Sequence, residues 1–213
     1  ATRFGSIDRD FRLDGKEVHL PAGVAHFLEH KMFEDQDGDA FAKYAKTGAN
    51  ANAFTSFDRT CYLFTATQQL DESLDVLLGM VTHPYFTEQT IAKEQGIIGQ
   101  EIRMIEDRPG WQAYHRLLEA LYEHHPVRNS VAGSVESIAQ ITAETLYHCH
   151  EAFYTPSNMV LCVAGNVDPE QVCAMAREIL PKEAKPTIPR DHGSNEPSQV
   201  YCQEDVLTME VAA

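Results

Sequence analysis

The spacing of apolar and polar residues divides the chain into helical and extended segments. Residues 1–20 read as a strand end followed by a polar loop. Pro21-Ala-Gly then leads into a helix over roughly residues 24–33, with proline just ahead of its first turn. Asp37-Gly-Asp supplies a turn and a cap for a second helix over 40–46. That helix closes at Gly48, a residue suited to the left-handed conformation at a helix end. Two strand-like runs follow, 50–56 and 60–67. In the second, Cys61, Leu63 and Thr65 alternate with Tyr62, Phe64 and Ala66, the two-residue period of a pleated strand. Phe57-Asp-Arg makes the turn between them.

The remainder is mainly helical. A helix over 71–82 places Leu74, Leu77, Leu78 and Val81 on one side, and His83-Pro84 ends it. A long helix over 87–106 starts at Thr87, a good cap, with Glu88 where the helix dipole favours negative charge. Ile91, Ile98, Ile102 and Ile105 line its apolar side. Pro109-Gly-Trp breaks it, and a further helix runs to about residue 122. Residues 123–134 are polar and turn-rich. Helices over 142–153 and 169–180 flank a strand over 158–165. Four prolines between 181 and 197, with Gly193, Ser194 and Asn195, mark a linker over 181–199. Residues 200–213 read as the first strand of another, truncated domain, leaving 1–180 as the principal one. Strands and helices do not alternate strictly, which favours an α+β domain with a mostly antiparallel sheet packed with helices.

Composition narrows the partners. The 17 basic and 32 acidic residues give a net charge of -15, a surface that repels phosphate backbones and excludes nucleic acid as an expected partner. No stretch approaches the ~20 apolar residues that span a bilayer. Ala1-Thr-Arg-Phe-Gly-Ser shows no apolar core of the kind a secretory leader carries. The five cysteines form no C-x-x-C pair, and Cys162 reads as a small core hydrophobe. The expected compartment is the bacterial cytoplasm.

The chemistry concentrates in Gly23-Val-Ala-His26-Phe-Leu-Glu29-His30. On a helix, His26 and His30 are four residues apart and face the same way. Two imidazoles so spaced can share one Zn²⁺ at ~2.0–2.1 Å. Glu29, on the same face, can reach a metal-activated water without being a ligand. The order is H-x-x-E-H, the reverse of H-E-x-x-H. A zinc site of this kind wants a third protein ligand and an open position. Within the long helix Glu94 and Glu101 are seven residues apart and so share a face. Periodicity alone leaves that face equally readable as a solvated acidic stripe.

The chain resembles the pitrilysin/insulinase family of zinc peptidases, the inverzincins, and within it the bacterial insulinase-like and processing-peptidase-like proteins. The resemblance rests on residues 21–34, on Gly48-Ala-Asn-Ala-Asn-Ala-Phe-Thr-Ser-Phe-Asp-Arg-Thr-Cys-Tyr62, on Glu94 to Glu101, on Gly133-Ser-Val-Glu-Ser-Ile138 and on Phe153-Tyr-Thr-Pro-Ser-Asn-Met159. It implies the N-terminal metallopeptidase domain of that family, hydrolysing peptides or small unfolded polypeptides. It implies a single zinc on His26, His30 and Glu101, with Glu29 as general base. Glu94 joins the catalytic set as an outer partner of the metal. Asn52, Ala53 and Phe54 match the edge strand to which relatives bind an extended substrate. Relatives pair this domain with a second homologous domain or a partner subunit. The competing reading is a non-catalytic scaffold subunit of a two-chain peptidase, and an intact His26, Glu29, His30 and Glu101 set speaks against it. A closed storage site would want cysteine ligands, and none is placed for that. Among the other histidines, His124 and His125 lie in a loop, His148 and His150 diverge on their helix, His83 precedes a proline at a helix end, and His115 has no acidic or Cys partner at ligand spacing except Glu119; Trp111 reads as a packing anchor.

Overall fold

The computed structural model describes residues 1–13, 15–36, 38–183, 185–190, 192 and 204. The chain opens with a hairpin of β1 (Asp10–Leu13) and β2 (Lys16–His19). The first helix, α1 (Val24–Lys31), follows. Next come a two-residue pair, β3 (Glu34–Asp35) and β4 (Gly38–Asp39), and α2 (Ala40–Thr47). A second hairpin joins β5 (Asn50–Thr55) to β6 (Thr60–Thr65). The helices α3 (Leu70–Thr82), α4 (Glu88–Glu106), α5 (Pro109–Leu121), α6 (Val135–Ile138), α7 (Ala143–Phe153) and α8 (Pro169–Ile179) complete the order. Every strand pair among the described residues is antiparallel, so the fold is α+β.

Local chemistry sets many of these boundaries. Asp39 caps α2 by accepting from the Phe41 N–H at 2.8 Å, and Gly48 ends it in the left-handed conformation. Thr87 caps α4 through the Thr90 N–H. The core then forms around α1. Val24, Ala25, Phe27 and Leu28 are buried against β5, α4 and α7. Burying side chains such as Phe27 and Leu28 contributes about 1.5–3 kcal/mol each. Phe4 stacks on Phe153 at 4.3 Å, and Phe11 meets the same ring edge-on at 4.8 Å.

Three expectations need correction. Residues 10–19 form a hairpin and not a polar loop, because Phe11 is drawn under Phe153, a contact between ends of the chain. Residues 158–165 form no strand: Met159 bridges Thr2, and the Val160 N–H donates to Ala1 O. A strand needs a paired neighbour along its length, and among the described residues only Ala1 and Thr2 lie alongside. Val160 is 68% exposed, and Cys162 is exposed, not core. Described residues of the 181–199 stretch also touch the domain. Ile188 packs on the core, and Arg190 reaches Asp8, donates to Asn158 Oδ1 at 2.6 Å and covers the Phe153 ring. The proposed second-domain start at 200–213 lies outside the described residues, Glu204 excepted.

Two features position the site. Thr2 bridges both Thr60 and Met159, extending the β5–β6 pair on the β6 side. The outer edge of β5 therefore has no strand partner among the described residues. At the start of α1, Gly23 has φ +88° and Gly133 has φ +76°. Each packs on backbone of the other's loop, so that an added Cβ would lie 2.4 Å from Ala132 O or 2.5 Å from Ala22 O. Ser137 Oγ donates to Ala22 O at 2.8 Å, closing the same junction. The first turn of α1 is thus clamped to the 130–133 loop.

Candidate metal centre

Helix α1 buries its Phe27 and Leu28 face and presents His26, Glu29 and His30 to the far end of α4 and to β5. The two imidazole rings meet edge-on, with centroids 4.6 Å apart. Glu101 projects from α4 toward both rings: its Oε1 lies 3.7 Å from His26 Nε2, and its Oε2 lies 3.6 Å from His30 Nε2. One ligand atom from each of the three residues falls within 4.8 Å of the others. Two turns earlier on α4, Glu94 accepts a hydrogen bond from His30 Nδ1 at 2.9 Å. The bond fixes the tautomer that leaves Nε2 with its lone pair free. The face shared by Glu94 and Glu101 is therefore not a solvated stripe; both carboxylates turn toward His30.

The donor set fits zinc. Ligand bonds of ~2.0–2.2 Å in a tetrahedron leave neighbouring ligand atoms roughly 3.3–3.6 Å apart, close to the spacings of Glu101 from the two Nε2 atoms. Burial, aided by His30, lowers the His26 pKa to about 4, so its ring is held in the neutral form that binds metals. His30 shows the opposite pull. Burial lowers it, but the hydrogen bond and charge of Glu94, with Glu101 and Glu29, raise it on balance. Three carboxylates, those of Glu29, Glu94 and Glu101, thus act on His30. Glu29 is buried, which raises its pKa, and Thr55 Oγ1 opposes that shift by donating to Oε2 at 2.6 Å.

The trio opens on a cavity of ≈ 470 Å³. Ala53, Phe54 and Thr55 of β5 form one wall, and Trp111, Tyr114 and His115 of α5 another. A second cavity, ≈ 640 Å³, lies beyond Asn52 and shares Glu29, His30 and Ala53 with the first. Asn52, Ala53 and Phe54 thus lie along the border of the two. Phe54 is 50% exposed, not the core residue of a plain hairpin. Trp111 is not a packing anchor either. No residue of α5 is buried, and Trp111 lines the cavity with its ring edge-on to His115. Sequence reasoning missed the α5 wall and Thr55. The only available signal for α5 was an amphipathic helix with an apolar side and no obvious partner. Thr55 had no signal of its own beyond its place one residue after Phe54.

The chain is similar to known peptidases. Residues 16–135 match the family described as insulinase (peptidase family M16), and residues 140–210 match the one described as peptidase M16 inactive domain. The chain is 49% identical over 215 residues to the protein named uncharacterized zinc protease YmfH of Bacillus subtilis (strain 168), covering 99% of this chain and 50% of that protein. A solved structure from Alicyclobacillus acidocaldarius, described as an M16-like peptidase, is similar with a TM-score of 0.83 and 45% identity, over 90% of this chain and 45% of that one. A protease from Helicobacter pylori is similar with a TM-score of 0.72 and 26% identity, over 87% and 46% of the two chains. The chain spans half or less of the length of curated relatives it matches. His26, Glu29, His30, Glu94 and Glu101 all lie within the matched segment 16–135, and the chain belongs to the insulinase family, peptidase family M16.

Proposed function

We propose that this chain is the catalytic half of a zinc-dependent metalloendopeptidase acting on peptides or small unfolded polypeptides. The observation that carries the reading is Glu101 set within 3.7 Å of both imidazoles, with Glu29 beside them in a peptide-sized cavity. His26, His30 and Glu101 would hold one zinc ion. When bound, zinc lowers the pKa of a coordinated water toward ~7 and polarises the scissile carbonyl. Glu29 takes the proton from the attacking water and delivers it to the leaving amine nitrogen. Glu94 acts through His30, which it orients. The open edge of β5 at Asn52, Ala53 and Phe54 holds the peptide by main-chain hydrogen bonds, which tolerate many sequences.

The inactive-domain match covers residues 140–210 and so bears on the later part of the chain, not on the trio. A domain over 1–180, a linker over 181–199 and the start of a second domain at 200–213 remain our reading of the layout. A second domain or partner subunit would cover the exposed α5 side of the cavity. Among the described residues no helix is long and apolar enough to cross a membrane. A cytoplasmic setting suits the cysteines at 61, 149, 162 and 173, all free.

Metal analysis of the purified protein tests the site: about one zinc per chain is expected, and far less in Glu101→Ala. A full complement in the variant would remove Glu101 from the ligand set. Glu94→Ala is expected to keep the fold and to weaken zinc binding by about 10–100-fold in chelator competition. Unchanged affinity there would mean that Glu94 does not orient His30.

A further inference from the structure

We propose that Thr55 is a positioning residue for Glu29, holding Oε2 so that Oε1 is the oxygen that carries the proton. The inference rests on the reading of Glu29 as general base and assigns its two oxygens different tasks. Glu29 is only 8% exposed, and Thr55 Oγ1 is the hydrogen-bond donor that reaches its carboxylate among the described residues. The contact is short, 2.6 Å, as hydroxyl-to-carboxylate bonds are. Oε1 has no protein donor among the described residues, yet it is not one of the buried polar atoms left without a partner. Glu29 lines the cavities on both sides, and Oε1 is the oxygen that Thr55 does not occupy.

The need for such a restraint follows from the side chain. The last torsion of glutamate is broad, so a carboxylate with no fixed partner samples many orientations. A base must keep one oxygen within about 2.6–3.2 Å of the proton it takes. Thr55 is itself fixed. Its main chain is paired in the β5–β6 ladder, and Thr60 opposite it is anchored by donating its hydroxyl proton to Phe4 O at 2.9 Å. Thr60 is fully buried. Thr55 also pairs with Thr60 at the end of the β5–β6 ladder, one residue from Phe54. The strand proposed to hold the substrate therefore also orients the base.

The test compares Thr55→Val, Thr55→Ser and Glu29→Gln in the zinc-loaded protein, using an internally quenched peptide mixture. Valine keeps the branched shape suited to a strand and removes the hydroxyl; serine restores it. We expect Thr55→Val to lower kcat by about 10–100-fold with KM within about 2-fold, and Thr55→Ser to remain near the parent. Zinc content should be equal in all. A readout independent of turnover is the infrared carboxylate stretch: Thr55→Val should shift a band that is absent from Glu29→Gln. Parental kcat in Thr55→Val, or an equal fall in Thr55→Ser, would overturn the inference. Should Glu29→Gln remain fully active, the general-base reading would fall instead, with the infrared comparison still deciding whether Thr55 holds the carboxylate.

Discussion

Glu29→Gln is expected to abolish detectable peptide hydrolysis while zinc stays bound. The substitution changes one oxygen to an amide nitrogen and keeps the size of the side chain. Thr55 can still donate to the remaining oxygen, so the packing around a residue only 8% exposed is preserved. His26, His30 and Glu101 are untouched, and zinc content should equal that of the parent. The amide, however, cannot accept a proton from water near neutral pH. A positioned base contributes about 10²–10⁴-fold, so kcat should fall by that factor with little change in KM. The measurements are steady-state kinetics on a quenched peptide beside metal analysis of the same sample. A kcat within a few-fold of the parent would remove Glu29 from the reaction. Loss of zinc along with activity would assign it a structural part in the metal site.

Gly23→Ala should unfold the protein more readily and loosen the metal site from a distance. Gly23 precedes α1 with φ +88°, and its Cβ would lie 2.4 Å from Ala132 O and 2.8 Å from Ala132 C. A left-handed conformation costs a residue with a Cβ about 1 kcal/mol or more. The overlap is with main chain, so no side-chain rotation relieves it, and either α1 or the 130–133 loop must move. We expect a loss of about 2–4 kcal/mol, or roughly 5–12 °C in thermal midpoint. Zinc affinity should fall as well, since the same turn sets the start of the helix that bears both histidines. Gly15→Ala is the control: its φ is +78°, but nothing lies within 4 Å of the added Cβ. It should show the conformational penalty alone and leave zinc affinity intact. Equal losses in the two variants would show that the close approach at Gly23 contributes nothing.

The sequence by itself determined the features whose causes are local. The helix bearing His26, Glu29 and His30 follows from a four-residue repeat beside buried Phe27 and Leu28. Asp39, Gly48 and Thr87 bound their helices because capping depends on neighbours within a few residues. The alternating β5–β6 hairpin is of the same kind. The resemblance added the pairing of distant segments, bringing Glu101 to the histidines. What only the tertiary structure decided are contacts between residues far apart in the chain. Glu94 meets His30 across 64 positions and Thr55 meets Glu29 across 26. Neither side chain carries a pattern that names its partner. The 10–19 hairpin exists because Phe11 packs under Phe153, and past its contacts with Ala1 and Thr2 the 158–165 run has no strand beside it among the described residues. The α5 wall belongs to the same class: its amphipathic pattern sets a helix with an apolar side, but only packing decides that this side borders the metal cavity instead of the core.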